Sequence, residues 1–144
     1  MSTHGTTTLG YETVSVGDEL PELALPLTPT VIISGAIASR DYQDVHHDRN
    51  LAVQRGSKDI FMNILSTNGF VGRFVTDWAG PNAVLKSVSI RLGAPNYPYD
   101  TMRMTGKVEQ KEIVAGEPTV DLAVRGANGL GDHVKGTVRI VLPN

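Results

Sequence analysis

The chain has 144 residues, with 13 basic and 15 acidic side chains, a net charge of −2 and a pI near 6.0. That is the length of one domain, and no basic excess points to nucleic acid or an anionic membrane. The absence of cysteine excludes disulfides, a thiolate nucleophile, cysteine-ligated zinc and cysteine-held iron–sulfur clusters.

No apolar run approaches the ~18 residues of a membrane span, and residues 1–8 lack the basic and apolar regions of a signal peptide. A cytoplasmic protein is therefore expected. Residues 1–10 are polar and rich in Thr, Ser and Gly, too poor in apolar surface to offset ordering entropy. A flexible tail over residues 1–13 is expected, followed by one domain over 14–144. Gly17-Asp18-Glu19-Leu20-Pro21 reads as a turn. Glu22 to Leu27 reads as a short strand whose proline places it at an edge.

The stretch Thr28 to Ser39 has a β-branched run that favours a strand. Thr28 is nevertheless a good N-cap, Pro29 suits the first helical position, and Ile33, Ala36 and Ile37 repeat at helical spacing; a helix is expected. A long helix is expected from about Asp59 to Trp78. Its stripe comprises Ile60, Ile64, Val71, Val75 and Trp78, flanked by Phe61, Leu65 and Phe74. Asp59 would lie in the first turn, where the helix dipole favours a carboxylate. Gly69 and Gly72 cost helix propensity, about 1 kcal/mol each relative to alanine, which a close approach to a sheet would explain.

Beyond Gly80-Pro81-Asn82 the period becomes two. Val88, Ile90 and Leu92 alternate with polar residues, as do Met102, Met104 and Val108, then Val120, Leu122 and Val124, then Val134, Val138, Ile140 and Leu142. Turns fall at Gly93–Pro98, Ala115–Pro118 and Asn128–Gly131. One striped helix and about five antiparallel strands predict an α+β domain, a sheet curled around one helix.

There is no Walker-type glycine loop, Gly-x-Ser-x-Gly elbow or helical His pair at i and i+4. The chemically dense segment is Ser39 to Asn50, which holds Asp41, Asp44 and Asp48 with His46 and His47. A carboxylate beside an imidazole can hold a water, accept its proton and return one to a substrate. The same residues could ligate a metal, or form a solvated loop of helix-capping aspartates. Adjacent histidines on a short turn point apart, so at most one would work. His133 reads as a satisfied turn histidine, and Tyr97 and Tyr99 as cover for the core edge or a ligand mouth. Asn63 and Asn68 on an apolar helix need partners if buried.

In this order the pattern resembles the MaoC-like enoyl-CoA hydratases. The resemblance rests on Val16-Gly17-Asp18-Glu19-Leu20-Pro21, on Asp41 and His46 five residues apart, and on Asp100 to Val108. Asp41–Arg49, Gly56–Leu65 and Val75–Pro81 bring it nearest to the small hydratase subunits of bacterial cholesterol side-chain degradation. The resemblance implies a single hotdog fold and addition of water to a 2-enoyl-CoA, with Asp41 and His46 catalytic. It also implies a thioester-binding backbone N–H at Asn63, beside Met62, where the family has His-Gly. Two further departures are Ser39-Arg40-Asp41 for Ser-Gly-Asp, and Asp44-Val45 for Asn-Pro. No metal or redox cofactor is implied, coenzyme A being part of the substrate. The implied partner is a larger MaoC-like subunit with an OB-fold zinc-binding domain, or a second copy in a homodimer. The alternatives are an acyl-CoA thioesterase on the same fold, and a non-catalytic subunit that shapes its partner's tunnel.

Overall fold

The computed structural model describes residues 7–144; His4 lies outside them. The elements in chain order are β1 (Glu19–Leu27), α1 (Pro29–Ala38), α2 (Arg49–Gln54), α3 (Ile64–Ala79), β2 (Val84–Leu92), β3 (Asp100–Val114), β4 (Glu117–Asn128) and β5 (Gly131–Val141). The strands form one antiparallel sheet in the order β1-β3-β4-β5-β2. This is the expected hotdog arrangement, with α3 lying in the curve of the sheet. Among the described residues no helix is long and apolar enough to cross a membrane.

The inward face of each long strand carries the expected residues. Met102, Met104 and Val108, then Val120 and Leu122, then Val138 and Ile140 are fully buried with Val71 and Val75 of α3. Gly106 lets β3 pass close to the helix: a Cβ there would meet the Phe74 ring at 2.9 Å. The β3–β4 hairpin turns on Ala115 and Gly116, both at positive φ, the backbone that a tight hairpin needs. β1 is an edge strand, and its register shifts between Leu20 and Leu23, around Pro21, where proline removes a ladder donor.

Thr28 and Pro29 decide the ambiguous stretch. Thr28 Oγ1 accepts the Val31 N–H at 3.1 Å, and Pro29 is the first residue of α1. The expected start of the long helix is corrected, because α3 begins at Ile64 rather than near Asp59. Asp59 is held by Arg49 Nε at 2.8 Å and accepts the Ile60 N–H. Residues 60–62 run outside any helix, their backbone tied to other segments by Phe61 N–H to Val45 O and Met62 N–H to Asn96 O. Tertiary pairing overrides local propensity here. Ile60 is thus buried outside the helix, while Ile64 and Leu65 are about half exposed. Of the two helix glycines, only Gly72 is buried, against Leu85.

The residues ahead of the domain are also docked where they are described. The Leu9 N–H donates to Ala79 O, the Tyr11 N–H to Pro143 O, and Thr8 Oγ1 accepts the Asn82 N–H. Leu9 and Tyr11 pack against the core. Residues 7–13 therefore belong to the packed unit rather than to a free tail.

Candidate functional site

The site begins at the C-terminus of α1. Ser39 is the C-cap, and Arg40 follows with φ 57°. The Arg40 N–H donates to Ile37 O and the Asp41 N–H to Ala36 O, both at 3.0 Å. This pair of bonds is a Schellman motif, and it fixes the backbone of Asp41 as the second residue beyond the cap. Asp41 Oδ1 accepts the Gln43 N–H. A 3₁₀ turn over Asp44–His46 then swings His46 inward.

His46 is buried, and its ring stands edge-on to Phe61 with centroids 4.9 Å apart. Nδ1 lies 2.7 Å from Phe61 O. A carbonyl only accepts, so Nδ1 carries the proton and Nε2 presents its other valence to Asp41. Nε2 is 3.4 Å from Asp41 Oδ2. His47 points elsewhere, toward Tyr42 O at 3.2 Å.

Asn63 joins the two sides. Only 1% exposed, it uses both ends of its carboxamide. Nδ2 donates to Ser39 Oγ at 2.9 Å and to Asp41 Oδ2 at 3.1 Å, while Oδ1 accepts the Ser66 N–H and caps α3. The Asn63 amide beside Asp41 holds its carboxyl below the usual carboxylate range. Partial burial opposes this, and the Gln43 N–H and His46 add to it. The backbone N–H groups of Asn63, Ile64 and Leu65 take part in none of the hydrogen bonds among the described residues. They form a donor cluster at the positive end of the α3 dipole.

Three of the four sequence-derived site residues, Asp41, His46 and Asn63, thus meet at one junction, whereas Met62 contacts Asn96. It is buried, its N–H bonds to Asn96 O, and Asn96 Nδ2 approaches its sulfur at 3.7 Å. Asn68 is exposed. Tyr97 lies edge-on to Phe61, with centroids 6.5 Å apart, and Tyr99 is exposed. Asp48 caps α2, accepting from the Leu51 N–H, and Asp44 pairs with Arg55. Among the described residues no three His, Asp or Glu side chains converge as metal ligands.

Two contributors escape a reading of the sequence. Ser39 accepts from Asn63, and nothing about an isolated serine announces that role. His133, expected at the start of a strand as a satisfied turn histidine, is satisfied there, and its burial against α3 is what the sequence did not show. Its Nδ1 lies 2.6 Å from Ala94 O and its Nε2 2.8 Å from Thr67 Oγ1. Burial pushes its pKa down, against the Ala94 hydrogen bond. Thr67 sits one turn after Asn63, so His133 braces the turn of α3 that carries the donor cluster.

The chain matches the family described as MaoC like domain over residues 12–128. It is 53% identical over 125 residues to the 3-oxo-4,17-pregnadiene-20-carboxyl-CoA hydratase beta subunit of Mycobacterium tuberculosis. That match covers 87% of this chain and 94% of the relative. Among solved structures it is similar to a chain of the ChsH1-ChsH2 complex from Mycobacterium tuberculosis, with TM-score 0.85 and 51% identity, over 90% of this chain and 98% of that one. The R-hydratase PhaJ1 from Pseudomonas aeruginosa shares the fold, with TM-score 0.82 and 22% identity over 95% and 87% of the two chains.

Proposed function

The chain belongs to the MaoC-like domain family, and on that premise we propose that it is the small catalytic subunit of a heteromeric enoyl-CoA hydratase. The substrate would be a steroid side-chain enoyl-CoA such as the 3-oxo-4,17-pregnadiene-20-carboxyl-CoA that the relative's name specifies. The observation that carries the reading is the convergence of Asp41 Oδ2 and His46 Nε2, 3.4 Å apart, with both outer valences already spoken for. Asn63 holds the carboxylate, and Phe61 O holds the Nδ1 proton.

Two acceptors so placed suit one water, which can donate a hydrogen to each. The water's O–H bond breaks and its oxygen bonds to the β-carbon, C17 of that substrate. The double-bond electron pair shifts to C20 and onto the thioester oxygen. The dyad takes one proton from the water and returns one to C20, leaving no net proton change. The thioester oxygen, negative in the transition state, is suited to the free N–H groups at the start of α3. Stabilisation by such donors is worth roughly 10²–10³ in rate per donor. A mechanism of this kind draws only on this chain's side chains, its backbone and the substrate water.

The partner in this reading is a larger MaoC-like subunit carrying an OB-fold zinc-binding domain; that there is a second subunit is supported by the two-component complex to which the similar solved chain belongs. Edge strand β2 supports a partner: it is paired only to β5 and leaves Val84, Leu85 and Leu92 exposed by 37–50%. An open apolar edge of this kind favours pairing with another chain. The compartment in this reading is the cytoplasm.

The test is loss of enoyl-thioester absorbance by the assembled complex, with free thiol followed in parallel. Wild type is expected to hydrate without releasing thiol. Asp41→Asn and His46→Ala are each expected to lose roughly 10²-fold or more in kcat, the scale of general acid–base catalysis. Near-normal turnover in both variants would assign catalysis to the partner subunit, and thiol release would favour a thioesterase.

A further inference from the structure

We propose that Thr67 and His133 are positioning residues for hydration, setting the aim of the Ile64 N–H at the thioester oxygen; this rests on the hydratase reading above. The observation behind it is a bulge in β5. Val134 faces Gly126 of β4 and Asp132 faces Ala127, so His133 is the extra residue between them. Along the rest of β5 the inward side chains alternate, at Val134, Val138 and Ile140. Regular alternation would send His133 to the outer face. The bulge instead buries His133 and Val134 as consecutive residues, and the imidazole reaches α3. Bulges re-aim side chains in this way, often beside active sites. Gly93 fits against this one: its N–H donates to His133 O at 2.7 Å, and a Cβ there would meet Asp132 O at 2.4 Å.

The ring is held at both nitrogens. Ala94 O only accepts, so Nδ1, 2.6 Å away, carries a proton. Burial favours the neutral ring, which leaves Nε2 to accept from the Thr67 hydroxyl at 2.8 Å. Thr67 is fully buried, so water does not replace that bond.

Thr67 in turn holds one peptide of the donor cluster. The Asn63 carbonyl accepts the Thr67 N–H at 3.2 Å, and Thr67 Oγ1 lies 3.4 Å from the same oxygen. That carbonyl and the Ile64 N–H are the two ends of one planar trans peptide and point in opposite directions. Fixing the carbonyl therefore fixes the direction of the Ile64 N–H, which has no partner among the described residues. For stability alone, an apolar pair of the same shape would serve nearly as well as this buried polar pair. Only a directional bond sets an angle, and donors stabilise a developing charge when they are aimed at it beforehand.

The test compares wild type, Thr67→Val and Thr67→Ser, each assembled with the partner subunit. Valine keeps the shape and loses the hydroxyl, whereas serine keeps the hydroxyl. Thr67→Val is expected to lose about tenfold in kcat, less than the roughly 10²–10³ of a deleted donor. KM should not change, the pattern of an interaction that acts in the transition state. Thr67→Ser should stay near wild type. The second readout is the infrared carbonyl stretch of the bound saturated thioester, isotope-labelled at its carbonyl carbon, which cannot be hydrated. Wild type should lower that frequency relative to the free thioester, and Thr67→Val should lower it less. His133→Leu cuts the same contact from β5 and should reproduce both effects, which keeps the test open if Thr67→Val does not assemble. The proposal is overturned if Thr67→Val loses stability but keeps wild-type kcat and carbonyl frequency, or if Thr67→Ser falls as far as Thr67→Val. Absence of hydration by wild type, with a carbonyl frequency that still depends on Thr67, would instead refute the hydratase reading and leave the positioning standing.

Discussion

Asn63 donates its side-chain amide to Asp41 Oδ2 at 3.1 Å while the carbonyl of the same side chain caps α3. One residue thereby fixes the Asp41 carboxylate and the helix whose N-terminal donors the hydratase reading assigns to the thioester. The two roles can be separated. Serine keeps a capping oxygen and loses the amide, so Asn63→Ser should keep the cap and cost about 1–2 kcal/mol of stability through the lost bonds to Ser39 and Asp41. Its kcat should fall by roughly tenfold or more, because Asp41 loses the group that holds its pKa down. The sign follows: without the amide the Asp41 pKa rises, so any acidic limb of the pH–rate profile that this carboxylate sets moves to higher pH. Asn63→Ala should add the loss of the cap, about 1 kcal/mol. Denaturant melts and pH–rate profiles of the two variants distinguish these effects.

The crossing of α1 over α3 leaves no room at Gly35. A Cβ there would lie 2.3 Å from Ser66 Oγ, a buried hydroxyl without a partner. Gly35→Ala should destabilise by about 1–3 kcal/mol and displace the Schellman end of α1 that positions Asp41. Ser66→Ala removes an unsatisfied polar group and should be neutral or stabilising by about 1 kcal/mol. Combined, the two changes should recover much of the loss, giving a non-additive cycle in urea unfolding.

His133 sets a pH dependence of stability. Its folded pKa lies below the ordinary value of 6.5 because the ring is desolvated. The unfolded chain therefore binds this proton first, and stability falls as pH drops below about 6.5 toward the folded pKa, being fully present above that window. His133→Gln, which retains a donor and an acceptor, should show a flatter melting temperature between pH 7 and pH 5. An identical slope in both proteins would show that other groups carry it.

The exposed apolar side chains of β2 bear on assembly rather than on the fold of this chain. Val84→Lys and Leu92→Lys lie at half-exposed edge positions, so each should change unfolding free energy by no more than about 0.5 kcal/mol. Together they should weaken association with the partner subunit at least tenfold, read by analytical ultracentrifugation. Unchanged association would move the interface away from this edge.

The sequence by itself determined the strand faces, the capped start of α1 and the Asp41–His46 spacing, because each depends on neighbours a few residues away. Alternation places Met102, Met104, Val120 and Leu122 inward whatever else the chain does. Thr28 and Pro29 specify a helix start through local hydrogen bonding and fixed φ. The resemblance to a known family was carried by this same local order. The tertiary structure alone decided where α3 begins, since Arg49 takes Asp59 and Asn96 takes the Met62 N–H across long separations in the chain. It alone turned His46 rather than His47 inward, through Phe61 O fifteen residues away. It gave the Asn63 side chain, which the sequence showed only to need partners if buried, its partners Ser39 and Asp41. It also buried His133 against Thr67, 66 residues distant. Periodicity records which face of an element is apolar. It carries no record of which distant carbonyl or hydroxyl will satisfy a buried polar group, and the candidate site is assembled from those pairings.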